Sequence, residues 1–145
     1  MRRLLLSITI LLIAVAPAAA QKGLNINQLF DGRYRANKYA TETVITGSQL
    51  APMNLTVYRA LTIYRQPMLA EKIEKLVIKD GDKSDSSEVR YNSGRLYYGF
   101  YVLKPKDGNN RYILYLNKGT GNSNVITLIY LEGKASPAQV KSMIL

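Results

Sequence analysis

Hydrophobic and polar positions change their spacing several times along the chain, and each change marks a new element. Over residues 55–64, Leu55, Val57, Leu61 and Ile63 fall on one side of an extended backbone. Thr56, Tyr58, Thr62 and Tyr64 fall on the other. That period of two predicts a strand, with a helical turn around residues 55–61 as the competing reading. Residues 41–46 are rich in β-branched side chains and stop at Gly47, which also reads as a strand. After Pro67 the period lengthens. Leu69, Ile73, Leu76 and Val77 recur at i, i+4, i+7 and i+8, the apolar stripe of a helix that Pro67 opens and the polar stretch 80–87 closes. Glu71 and Lys75 form an i, i+4 pair on its outer side.

Strands follow at residues 95–103, 111–117 and 125–132, separated by short connectors rich in Asn, Gly and Lys. Short connectors with turn chemistry predict an antiparallel meander. A further short strand, residues 88–91, is placed to pair through the turn Asn92-Ser93-Gly94. Both faces of the meander are apolar. Leu96, Tyr98, Phe100 and Val102 oppose Tyr97, Gly99 and Tyr101, and Val125, Ile129 and Leu131 oppose Ile126, Leu128 and Tyr130. An antiparallel sheet with one wet face alternates more cleanly, so helices or a partner cover the second face. Ser136-Pro137-Ala138-Gln139 is a capping box with Pro at the first helical position, the start of a last helix. Leu24, Ile26, Leu29 and Phe30 predict a short amphipathic helix ended by Gly32. The expected fold is α+β: an antiparallel sheet of about five strands, with two or three helices packed mainly on one face.

The first twenty residues read differently. Arg2 and Arg3 precede an apolar run over residues 4–16, broken only by Ser7 and Thr9. Pro17 and then Ala18-Ala19-Ala20 follow. This is the pattern of a secretory signal cleaved between Ala20 and Gln21. The run is shorter than the ~20 residues a bilayer needs, which argues against a transmembrane anchor, and no later segment is apolar enough to span one. No Cys follows the run, so a lipoprotein is excluded. The expectation is a periplasmic or secreted protein, with residues 1–20 as signal and 21–145 as one domain. Without Arg2 and Arg3 the domain keeps 18 basic and 10 acidic residues.

The chain has no Cys, no His and no Trp. That removes disulfides, thiol and imidazole catalysis, and zinc sites of the Cys/His kind. A Ser-His-Asp triad is impossible and no S-x-x-K occurs. Glu71 and Glu74, three apart on the helix, read as solvated surface rather than a catalytic carboxylate pair. Residues 80–88 place Asp80, Asp82, Ser84 and Glu88 at loop positions 1, 3, 5 and 9 of a calcium loop. Asp85 stands where Gly is needed and Tyr91 where a bidentate Glu belongs, so a solvated connector is the better reading. Gly119-Thr120-Gly121 leads into a strand rather than a helix and reads as a hairpin loop, not a phosphate cradle. No cofactor and no metal site are expected, and the chain is read as non-enzymatic.

All eleven Tyr residues lie beyond residue 20, six of them on the meander. Tyr carries an apolar ring with a polar tip, suited to stacking on sugars, and a basic surface attracts polyanions. Nucleic acid is set aside because an exported protein seldom meets it. The leading expectation is therefore a binding protein for an anionic glycan or other envelope component. Its contact face would be the outward face of the meander: Arg95, Tyr97, Tyr101, Arg111, Tyr112 and Tyr115. The alternative is a protein that docks on an envelope protein, or forms a homo-oligomer, through the second apolar sheet face. A small hydrolase ranks third.

The stretch 94–101 (Gly-Arg-Leu-Tyr-Tyr-Gly-Phe-Tyr), the strand 110–115 (Asn-Arg-Tyr-Ile-Leu-Tyr) and the closing 130–136 (Tyr-Leu-Glu-Gly-Lys-Ala-Ser) carry a resemblance. With the leader that lacks a lipid Cys, they resemble small exported proteins of unknown function from gut Gram-negative bacteria. The resemblance implies export and a single α+β domain, and it brings no activity or catalytic residues.

Overall fold

In the computed structural model, which describes residues 23–144, the alternation at β2 (Leu55–Tyr64) is that of a strand. Leu55, Val57, Arg59, Leu61 and Ile63 are buried in turn. β1 (Ala40–Thr46) pairs with it antiparallel. The helix α1 (Pro67–Gly81) runs back across the sheet. Next come β3 (Ser86–Asn92), β4 (Arg95–Lys106), β5 (Asn109–Lys118), β6 (Val125–Gly133) and the short α2 (Pro137–Ile144). Single 3-10 segments occupy Asn25–Phe30, Ser48–Met53 and Gly121–Ser123. The first of these is where the sequence predicts an amphipathic helix.

The strands form one sheet in the order β1-β2-β6-β5-β4-β3, every neighbouring pair antiparallel. The predicted α+β architecture is therefore present, with the additional strand β3 paired to β4. β2 and β3 run parallel to each other, and α1 is the crossover between them. It begins at the end of the sheet where β2, β3 and β5 finish. It stops at the other end, where β3 and β5 begin.

Both faces are covered. On one side Ile73 and Val77 of α1 and Ile26, Leu29 and Phe30 meet Leu61, Ile113, Tyr115, Leu128 and Tyr130. On the other, Val140 of α2, Ala135 and Leu50 meet Phe100, Tyr112, Leu114 and Leu131. Burying a large apolar side chain contributes about 1.5–3 kcal/mol. Tyr112 and Tyr130 join this core with their hydroxyls partnered. The Tyr112 hydroxyl donates to the Ala135 carbonyl at 2.5 Å, and that of Tyr130 to Glu132 Oε1 at 2.9 Å. α2 has the capping box its sequence announces. The Ser136 amide donates to Gln139 Oε1 at 2.9 Å, and the Gln139 amide to Ser136 Oγ at 3.2 Å.

The facing expected for β4 needs correction. Arg90 pairs with Tyr98, and the next residue, Tyr91, pairs with Leu96. Tyr97 is thus an extra residue in β4, a β-bulge that resets the alternation. Leu96 faces α1, whereas Tyr98 and Phe100 face α2.

Candidate functional site

A cleft of about 440 Å³ opens at the end of the sheet where α1 starts. Three connections reach it. The β3–β4 turn supplies Asn92 and Ser93, the β5–β6 connector supplies Thr120 and Asn124, and Pro67 opens α1 beside them. Alternate turns of a meander lie at the same end, which is why residues far apart in sequence converge here.

The helix end is electrostatically bare. Gln66 makes no side-chain cap, Pro67 has no N–H, and the first turn holds no acidic residue. An α-helix carries roughly half a positive charge at that end, and here no acidic residue of the first turn offsets it. One amide at the cleft is also short of a partner. Asn124 Oδ1 is buried and accepts no hydrogen bond, and Asn124 is only 5 % exposed. A buried acceptor left unmatched costs about 1–3 kcal/mol. The connector is held close by Gly119 (φ +82), where a Cβ would stand 2.6 Å from the Ser123 carbonyl oxygen. The Asn124 carbonyl accepts the Arg65 amide at 3.0 Å, tying the connector to the exit of β2.

Arg95 and Tyr97 stand at the mouth. The bulge turns Tyr97 outward, 40 % exposed. Arg95 Nε donates to Glu74 Oε2 at 2.8 Å, and the Leu96 amide donates to Glu74 Oε1 at 2.5 Å. Glu74, expected on a solvated helix face, is instead buried between α1 and β4. It lies four residues after Ala70 and three before Val77, on the side of α1 that meets the sheet. The Tyr115 hydroxyl is buried beside Asn117, and burial, with Glu74 nearby, pushes its pKa well up.

The six residues expected to share one outward face do not. Arg95 and Tyr97 meet at the cleft. Tyr101, Tyr112 and Tyr115 are 4 %, 1 % and 0 % exposed, because successive positions of β4 and β5 point into two covered faces. Arg111 lies at the opposite end of the sheet, where its Nε donates to the Lys104 carbonyl at 2.9 Å. Asn92, Asn117, Thr120 and Asn124 were legible only as turn residues. Counting strands to see which turns share an end was the available signal.

A family model described as a family of unknown function (DUF6108) matches residues 13–144. The chain belongs to that family. No curated protein matches it, and no solved structure does. The DUF6108 assignment brings no activity with it, so the chemistry of the site rests on its own residues.

Among the described residues, no group of three or more His, Cys, Asp or Glu is placed to hold a metal ion, and no helix is long and apolar enough to cross a membrane. Asp80, the first position of the calcium-loop reading, is not a solvated connector residue. It is buried, and its carboxylate accepts the Asn25 and Ile26 amides at 2.7 and 2.9 Å. The expected signal and its expected cleavage point, Ala20 and Gln21, lie outside the described residues.

Proposed function

We propose that this DUF6108 protein is an exported, non-catalytic binding protein that takes an acidic glycan in the cleft at the start of α1. The observation that carries the reading is the exposed Tyr97 ring beside the Arg95 guanidinium, at the mouth of a cleft that holds an uncapped helix N-terminus. The bare helix end and Arg95 favour a carboxylate or similar anionic group. The exposed ring of Tyr97 offers a stacking surface for a sugar at the mouth. Export is supported by the apolar run over residues 4–16 with Ala18-Ala19-Ala20 behind it.

The test is calorimetric titration with uronic-acid oligosaccharides, with their neutral counterparts alongside. Acidic oligosaccharides should bind more tightly. Tyr97→Ala should weaken binding about tenfold, the loss of roughly 1.4 kcal/mol of stacking and packing. Arg95→Gln is the sharper variant. It removes the cation at the mouth, so acidic oligosaccharides should bind about tenfold more weakly while their neutral counterparts are unaffected. Equal binding of acidic and neutral oligosaccharides, or wild-type binding by both variants, would sink the reading.

The second reading, a protein partner or self-association, is favoured by one observation. Tyr58, Ile129, Leu131 and Ile144 line an apolar groove of about 250 Å³ on the α2 face, flanked by the half-exposed Met53 and Met143. Association through it would resist salt, whereas capture of an acidic glycan would weaken as ionic strength rises.

A further inference from the structure

We propose that a second copy of this chain adds to the β3 edge, antiparallel, so that two six-stranded sheets run on as one. β3 is an outer strand, and nearly all of it is exposed. Its outer side presents backbone amides and carbonyls with no neighbouring strand, the groups through which strand addition works. On the α1 face, Val89 and Tyr91 stand 39 % and 52 % exposed at this edge. On the α2 face stand Glu88 and Arg90, paired with Phe100 and Tyr98 of β4.

The order of these residues selects a second copy over any other strand. The register that pairs all seven residues, Ser86 with Asn92 of the copy, puts Val89 opposite Val89 on a two-fold axis. It also puts Glu88 opposite Arg90 twice, once on each side of the axis, and Tyr91 opposite Ser87. The neighbouring registers that keep side chains on their own faces bring Glu88 against Glu88, or Arg90 against Arg90. Like charges directly opposite are destabilising, so the strand accepts itself in one register and rejects the slips. A two-fold contact of this kind closes at two copies, since each chain has one β3 edge to give.

Glu88 and Arg90 are not free charges. Arg90 Nη2 donates to Glu88 Oε1 at 3.2 Å, Lys141 Nζ donates to Glu88 Oε2 at 2.6 Å, and the Arg90 guanidinium lies over the Tyr98 ring at 5.0 Å. Pairing leaves these contacts in place. A guanidinium has five donors, and that of Arg90, 58 % exposed, gives one to Glu88, so it also reaches the carboxylate of the copy. No other charge lies within Ser86–Asn92. Asp85 falls opposite Ser93, and Asp82 and Lys83 belong to the turn that leaves α1.

Arg95 and Tyr97 lie on β4, outside the contact, so dimerisation and glycan capture fail separately. Analytical ultracentrifugation of the isolated protein over a concentration series should show monomer passing to dimer, with no larger species. Glu88→Arg and Arg90→Glu each put like charges opposite one another twice, and each should weaken the dimer about tenfold. An equimolar mixture of the two variants restores opposite charges at both places, so it should form a mixed dimer as readily as the wild type forms its own. Val89→Lys, at an exposed position that touches neither charge, should weaken the dimer to a similar extent with an unchanged melting temperature. Met143→Lys, at the apolar groove, should leave the dimer intact. A monomer at every concentration, a ladder of larger species, or dimerisation indifferent to the β3 variants would overturn the contact. So would loss of the dimer in Met143→Lys, or a mixture that associates no better than its components.

Discussion

At the scale of single residues, Glu74 does the most to connect α1 with β4. It is buried, and its two oxygens take the Leu96 amide and the Arg95 guanidinium. Glu74→Ala should cost about 2 kcal/mol, because it leaves the buried Leu96 amide unpaired. Glu74→Gln keeps an acceptor for the Leu96 amide and gives up the hydrogen bond and charge toward Arg95, a half-exposed side chain that can turn to water, so it should cost under about 1 kcal/mol. Urea melts of the two variants check this difference, and equal losses would contradict it. The sequence did not disclose the burial of Glu74. Its stripe reads as Leu69, Ile73, Leu76 and Val77, whereas the side of α1 that is fully buried runs through Ala70, Ile73 and Val77. Ala70 is too small to announce itself in a hydrophobic pattern, and including it rotates the contact face onto Glu74. Tyr101 was similarly hidden. Its ring occupies the space that a Cβ on Gly81 or Gly99 would need, so two glycines admit it to the core. That burial pushes its phenol up to about 12.

At the scale of elements, local signals were readable and facing was not. The capping box of α2 and the Pro start of α1 are written in consecutive residues, and both helices begin where those residues say. The bulge at Tyr97 carries no glycine or proline to mark it. Its effect, turning Leu96 and Tyr98 to opposite faces, arises only from pairing with β3. The docking of α2 offers a pH test. Glu88 on β3 accepts from Lys141 Nζ at 2.6 Å, which also lies over the Phe100 ring at 5.3 Å. The hydrogen bond from Lys141 and its charge hold the Glu88 carboxyl below its ordinary range, while Glu88 raises Lys141. A lowered carboxyl contributes stability above its unfolded pKa and loses it as pH falls through the folded value. A raised ammonium contributes below its unfolded pKa and loses that as pH rises through the folded value. The pair therefore secures α2 between the carboxylate and lysine ranges. Amide exchange in α2 should accelerate relative to α1 on acidification below the carboxylate range. Lys141→Ala should give the same acceleration at neutral pH and make it insensitive to acid.

At the scale of the whole molecule, the sequence determined what each piece was, but not which pieces became neighbours. β3 to β6 follow one another through short turns, so their order is local information. The placement of β2 beside β6 joins Tyr64 to Val125 across the length of α1 and the meander, and no residue pattern marks it. The cleft depended on that step, since Arg65 at the exit of β2 is what holds Asn124 in place. The same pairing has a consequence for how the chain avoids clumping. β6 contributes Val125, Ile126, Thr127, Leu128, Ile129, Tyr130 and Leu131 in an unbroken run without charge, proline or glycine, the composition of a segment that templates intermolecular strand addition. Without β2 the meander would end in this bare strand. With it in place the outer edges of the sheet are β1, which carries Glu42, and β3, which carries Glu88 and Arg90. Thr62→Pro, which removes a ladder position opposite Thr127, should therefore yield thioflavin-positive aggregates rather than a soluble unfolded monomer. The β1–β2 hairpin acts as a sheath, so conditions that loosen it endanger the solubility of the chain together with the cleft.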